Sequence, residues 1–127
     1  MKNLCIFAFI MRLFTTPYLV RIFYPSLLWK MPDGEKKIYL TFDDGPHPTI
    51  TPQVLELLKK FNAKATFFCV GNNVKKYKDT FKIIVDEGHS VGNHTYNHEK
   101  GWNTKTRDYI TSVDKADELI KSPLMRP

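Results

Sequence analysis

Two carboxylates and two imidazoles hold the chemistry latent in this sequence. Asp43 and Asp44 stand side by side at the end of the apolar stretch Ile38-Tyr39-Leu40-Thr41-Phe42, and Gly45 and Pro46 follow at once. Carboxylates are costly to bury, so a pair of them closing a core strand calls for a cation, a proton or a substrate nearby. Downstream, His94 and His98 lie four apart, a spacing that predicts one face of a helical turn and convergence on a single ion. One aspartate and two histidines make three protein ligands and leave a position open for water or substrate. That is the ligand count of a catalytic metal site, not of a closed structural one. The remaining aspartate is free to act as a base, and the set predicts a metal-dependent hydrolase.

Each residue also has a plainer reading. Asp-Gly is a common turn pair, and a single histidine is often a hydrogen-bonded core residue. The joint occurrence of the two pairs favours the metal site. His47, in Pro46-His47-Pro48, and His89 read as loop histidines, although His47 flanks the site. Lys75, Lys76 and Lys78 read as one solvated helix face.

The elements that must position these groups alternate between strand and helix, the pattern of β/α units and a parallel sheet. Residues 37–42 form the first expected strand. Thr51 reads as a helix N-cap with Pro52 at the first helical position, and Val54, Leu55, Leu57, Leu58 and Phe61 follow at helical spacing. Residues 65–70 are a continuous apolar run, as expected of a strand covered on both faces. Asn73 is a candidate cap for a helix whose apolar face is Val74, Tyr77, Phe81, Ile84 and Val85, with Gly88 as its stop. Residues 89–91 are a short third strand delivering His94. A last helix begins near Thr104 with Tyr109, Ile110, Val113, Ala116, Leu119 and Ile120 as its stripe, and Pro123 ends it. Residues 124–126 start a fourth strand. In parallel α/β architectures the strand C-terminal ends collect the chemistry. Asp43, Asp44, His94 and Arg126 all fall at or just past such ends.

A chain of 127 residues suffices for one domain and a modest core, though a closed β/α barrel usually needs more. The net charge is +6, and residues 1–37 carry six Lys/Arg against two Asp/Glu. The basic surplus thus belongs mainly to the N-terminal segment. This argues against a nucleic-acid groove at the site and fits attraction of that segment to an anionic membrane face. Cys5 and Cys69 form no visible disulfide framework, and Cys69 reads as a small buried hydrophobe. Three readings stay open for the first thirty residues: an arm packed on the domain, a membrane-associated segment, or a cleaved signal. The apolar run from Leu4 to Met11 is shorter than the ~18–20 residues of a spanning helix. No Ala-x-Ala-like cleavage site is evident, and Met11 is an alternative start.

Thr41-Phe42-Asp43-Asp44-Gly45 resembles the first motif of the polysaccharide deacetylases, the NodB-homology domain of carbohydrate esterase family four. His94-Thr95-Tyr96-Asn97-His98 is similar to their second motif, and Arg126-Pro127 to the opening of their third. The resemblance runs from about Lys37 to Pro127. It divides the chain into a basic, aromatic arm (1–36) and a deacetylase domain (37–127) with a distorted TIM-type (β/α) barrel-like fold. The family's later motifs, including a Leu-x-His that supplies the general acid, would lie beyond Pro127, so the chain is expected to be the front half of that fold. Alone it is expected to expose apolar surface and to turn over little.

The resemblance implies that Asp44, His94 and His98 hold a divalent metal while Asp43 serves as general base, oriented by Arg126. Zinc is the default for such a nitrogen/oxygen set, and other first-row metals fit it too. The implied substrate is an N-acetylated glycan, chitin-like or peptidoglycan, cleaved at its acetamide C–N bond. Trp102 and Tyr96 either stack on a sugar ring or pack against neighbouring loops. Two rivals stand beside this reading. One is a catalytically incomplete fragment that only binds metal or glycan. The other is a two-His-one-carboxylate iron oxygenase, which uses the same ligands, usually on a β-sandwich.

Overall fold

Strands and helices alternate in the computed structural model, which describes residues 18–29 and 36–121. The chain divides into two units, Met1–Lys37 and Ile38–Pro127. In the first, helix α1 (Tyr18–Phe23) leads into a turn where the Trp29 indole N–H donates to the Tyr24 carbonyl at 2.8 Å. No helix among the described residues is long and apolar enough to cross a membrane.

The second unit runs β1 (Leu40–Gly45), α2 (Ile50–Lys60), β2 (Ala65–Cys69), α3 (Gly71–Lys76), α4 (Lys78–Asp86), β3 (Ser90–Asn93) and α5 (Thr106–Ile120). The three strands form a parallel sheet in the order β1-β2-β3, so all three C-terminal ends emerge on one edge of the sheet. A helical connection between successive parallel strands is the β/α unit expected from the sequence, and it is not the β-sandwich of the oxygenase alternative.

Burial explains why each element forms. Along β2 the exposure alternates, with Ala65, Phe67 and Cys69 buried and Thr66 and Phe68 half-buried. One face is thus fully covered and the other partly, so the strand expected to be covered on both faces is covered unevenly. Ala65, Phe67 and Cys69 meet Leu55 and Leu58 of α2, Val74 of α3, Phe81 and Ile84 of α4 and Ile120 of α5 in one core. Phe42 of β1 stacks on Phe67 with ring centroids 5.1 Å apart. On the other face of β2, Phe68 lies so close to Gly92 that a Cβ there would sit 2.4 Å from its ring. Only glycine lets β3 carry on past it toward His94.

Several boundaries differ from expectation. The first strand starts at Leu40, and Ile38 (87% exposed) and Tyr39 (55%) precede it in the open. Among the described residues the far edge of β1 has no strand partner. Helix α2 begins at Ile50, ahead of the anticipated Thr51 cap. Its N-terminus is served instead by His47, whose Nδ1 accepts from the Thr49 and Ile50 amides at 3.3 Å. Leu57 and Phe61 face outward, because the arc of α2 toward the core is taken by Val54, Leu55 and Leu58. The single helix expected after Asn73 is two, broken at Tyr77 (φ −121°, ψ 54°), and Asn73 lies inside α3 and caps nothing. Gly88 does end α4, at φ +73°. On α5 the buried residues are Ser112, Ala116 and Ile120, and Ile110 is exposed. The fourth strand expected at 124–126 lies outside the described residues.

Candidate metal centre

The carboxylate half of the site rests on an irregularity in β1. Phe42 pairs with Phe67 and Gly45 with Cys69, so β1 advances three residues where β2 advances two. The extra residue is a bulge, a device that re-aims side chains at strand ends. Asp44 takes up the strain at φ +66°, a left-handed conformation that aspartate tolerates better than most residues. The Asn73 side-chain amide donates to the Asp44 carbonyl at 2.8 Å and pins the kinked backbone. The following Gly45–Pro46 peptide is cis.

The histidine half is a loop and not the helical turn expected from the i, i+4 spacing. After β3 ends at Asn93, no helix forms between His94 and His98, and Thr95 (φ +61°) and His98 (φ +60°) are both left-handed. Such a path needs anchors. The Thr95 amide donates to Asn93 Oδ1 at 2.8 Å, the Tyr96 amide to Ser112 Oγ at 2.8 Å, and the Glu99 amide to Thr95 Oγ1 at 2.9 Å. The first amides of α3 also grip the loop, Gly71 on the Thr95 carbonyl at 2.9 Å and Asn72 on the Tyr96 carbonyl at 2.8 Å. Gly71 has to be glycine, because a Cβ there would meet the Tyr96 ring at 2.9 Å and Ala116 at 3.0 Å.

Glu99 closes the loop. Its carboxylate accepts from Ser112 Oγ at 2.5 Å and from the Asn97 backbone amide at 3.1 Å. Burial alone would raise its pKa, but hydrogen bonds from Ser112, Thr95 and the backbone amides of Asn97 and Glu99 outweigh burial and hold it down at about 2. Sequence reasoning passed over Glu99 and Ser112. An acid one place beyond a metal-type histidine was the available signal, but its serine partner is 13 residues away.

The two halves meet at Asp44. His94 Nε2 lies 3.2 Å and His98 Nε2 3.1 Å from Asp44 Oδ1, and the two imidazole rings are 5.0 Å apart, centroid to centroid. One ligand atom from each of the three residues lies within 4.8 Å of the others. Two imidazole nitrogens and a carboxylate oxygen turned toward one another are the donor set of a two-histidine, one-carboxylate metal site, and they fit a divalent ion. Asp43 is not part of that group. It lines a neighbouring cavity of about 260 Å³ together with Asp44, His47, Thr51 and Phe67. His94 and His98 line a second cavity, of about 410 Å³, with Glu99, Lys100, Trp102 and Tyr109.

The other candidates separate clearly. Arg126 lies outside the described residues. His47 is engaged as the helix cap already described. His89 is at the opposite end of β2, where its Nδ1 accepts from the Ala65 amide at 3.3 Å. Tyr96 is only 9% exposed, with Lys115 Nζ 3.7 Å from its ring centroid, whereas Trp102 is 99% exposed. Cys69 is fully buried, and burial pushes its thiol pKa up to about 12, consistent with an inert core residue.

With this geometry established, comparison with known proteins gives the family. The family model described as polysaccharide deacetylase matches residues 30–126, and the chain belongs to that family. It is 42% identical over 101 residues to a peptidoglycan-N-acetylglucosamine deacetylase of Bacillus cereus, covering 76% of this chain and 47% of that protein. The crystal structure of the Bc1960 peptidoglycan N-acetylglucosamine deacetylase superposes with a TM-score of 0.68 at 40% identity, over 70% of this chain and 42% of that one. A family 4 acetyl xylan esterase from Clostridium thermocellum, solved in complex with a cobalt ion, gives a TM-score of 0.60 at 36% identity, over 65% of this chain and 41% of that one. The chain thus spans under half the length of these relatives.

Proposed function

We propose that this chain contributes to a metal-dependent hydrolase that removes N-acetyl groups from an N-acetylglucosamine-containing polysaccharide, chitin-like or peptidoglycan. The observation that carries the reading is the convergence of Asp44, His94 and His98 at the C-terminal edge of the sheet, beside a second carboxylate that stays outside their cluster. Asp44, His94 and His98 would hold the ion, zinc in the first instance from the donor set. The cobalt in the Clostridium relative is a reason to titrate both metals. Such an ion, when bound, acts as a Lewis acid toward a carbonyl and acidifies water.

The chain's own residues then have distinct tasks. Asp43 takes the proton of the attacking water as general base, an effect of about 10²–10⁴-fold for a positioned group. Arg126 is assigned to orient Asp43, a role that rests on the motif alone. The Asn73 and Glu99 hydrogen bonds hold the ligands in place before substrate arrives. Residues 37–127 act as the deacetylase domain and residues 1–36 as an arm. A membrane-surface role for residues 1–30 is supported by the basic surplus of that segment.

The test is acetate release from N-acetylglucosamine oligomers by the chain, with Zn²⁺ or Co²⁺ and after chelation. The expected result is slow, metal-dependent release that Asp43→Asn lowers by about 10²–10⁴-fold. Release that survives both chelation and that substitution would overturn the mechanism. Metal bound without release would reduce the reading to a fragment that only binds.

A further inference from the structure

At the end of the sheet away from the metal centre, the C-terminal turns of α2 and α4 enclose a cavity of about 200 Å³, lined by Lys59, Asn62, Ala63, Lys64, Glu87 and His89. We propose that this cavity binds a hydrogen phosphate ion. His89, Lys64 and Lys59 donate to its oxygens, and the Glu87 carboxylate accepts from its hydroxyl. The site needs nothing of the deacetylase reading.

Its central donor is buried. The His89 side chain is 2% exposed, and its Nδ1 accepts from the Ala65 amide at 3.3 Å, which leaves the hydrogen of the neutral ring on Nε2. That N–H faces Glu87 Oε2 at 3.8 Å, beyond hydrogen-bond reach, and has no hydrogen-bond partner among the described residues. A buried donor without an acceptor is costly, and a group inserted between ring and carboxylate removes the cost. The inserted group has to accept from Nε2 and donate to Glu87, because a carboxylate offers only acceptors.

Charge selects an anion for that position. Lys59 and Lys64 bring two ammonium groups against one carboxylate. After burial, Lys64 is the stronger influence on His89, lowering its pKa, and Glu87 the weaker, raising it; positive potential therefore prevails at the ring. The helix ends do not reverse this. Their carbonyls, which would otherwise favour a cation, are taken: that of Glu87 by Lys64 Nζ, that of Lys59 by the Asn62 amide at 3.0 Å and that of Leu58 by the Ala63 amide at 2.8 Å. Left-handed Asn62 (φ +47°) and Gly88 (φ +73°) turn the chain sharply at both helix ends, so the cavity is formed before a ligand arrives. Its volume is below the ~300–1,000 Å³ of sites for larger ligands and suits a small ion.

Among tetrahedral oxyanions the single acceptor decides. At neutral pH phosphate keeps at least one hydroxyl for Glu87. Sulfate has none and would turn a bare oxygen toward the carboxylate, a repulsion that discriminates against it. A phosphate monoester, with its second pKa at about 6, has mostly lost its hydroxyl as well.

The full chain is titrated by calorimetry with phosphate, sulfate and glycerol phosphate at equal ionic strength, while the His89 Nε2–H resonance is followed by NMR. Phosphate is expected to saturate one site and shift that resonance. Sulfate and glycerol phosphate should bind about tenfold or more weaker, the worth of a hydrogen bond to a charged group. Glu87→Gln, whose carboxamide donates as well as accepts, should weaken phosphate and bring sulfate level with it, whereas Lys59→Gln should weaken all three alike. No saturable phosphate binding, equal affinity for sulfate in the wild type, or discrimination unchanged in Glu87→Gln would overturn the proposal. So would phosphate binding that disappears in His94→Ala and leaves the His89 resonance unmoved, because the ion would then be at the metal centre.

Discussion

The two halves of the candidate metal centre are built in opposite ways. Asp44 is delivered by a strand, from a five-residue motif in which bulge, carboxylate and glycine are contiguous, and one side-chain hydrogen bond from Asn73 holds its carbonyl. His94 and His98 are delivered by a loop with two left-handed residues, anchored by Glu99, Ser112, Asn93 and the amide end of α3. A strand inherits its position from the sheet ladder, so a small local change suffices to aim its side chain. A loop has no ladder, and each strained residue needs a partner brought from elsewhere in the chain.

That contrast can be broken by experiment. Glu99→Ala removes the group that ties Asn97 and Ser112 together and should lower metal affinity about 10–100-fold, the usual cost of losing an outer support of metal ligands. Competition against a chromogenic chelator measures it. Asn73→Ala removes one hydrogen bond of about 1 kcal/mol net, which corresponds to about a fivefold loss in the same assay. If Asn73→Ala costs as much as Glu99→Ala, the two halves are supported alike and the comparison fails.

His89 gives a smaller effect and a control, because it sits at the other end of β2. Its side chain is 2% exposed and accepts from the Ala65 amide, which requires the neutral ring. Burial, and then the charge of Lys64, lower its pKa from the ordinary histidine value, with Glu87 partly offsetting them. Lys59 also lines the cavity there. A depressed histidine is neutral in both states above its unfolded value. As pH falls below about 6.5, the unfolded chain takes up the proton first, so stability drops toward the folded-state value. Urea unfolding between about pH 7 and 5 should show a decline of at most about 1.4 kcal/mol per pH unit, missing in His89→Gln. An equal decline in that variant would place the titration elsewhere.

Much of this was legible in the sequence. The alternation of strand and helix, the core residues of α4 and the glycine stop at Gly88 follow from local periodicity and turn chemistry. The candidate ligands were legible because their residue types are rare in that combination. Their geometry was not. Four-residue spacing matches a helical turn as well as a left-handed loop, and only the distant partners Ser112 and Gly71 select the loop. Glu99 looks like any surface acid until Ser112 is folded against it. The outward faces of Leu57, Phe61 and Ile110, and the break at Tyr77, likewise depend on tertiary contacts that periodicity does not encode.

The central claim is a division of labour between adjacent aspartates, with Asp44 on the ion and Asp43 off it. Metal stoichiometry by mass spectrometry on wild type, Asp43→Asn, Asp44→Asn, His94→Ala and His98→Ala tests it directly. The account predicts one divalent ion per chain in wild type and Asp43→Asn, and a large loss in the other three. Metal lost from Asp43→Asn, or retained at wild-type stoichiometry in His94→Ala and His98→Ala, would contradict it.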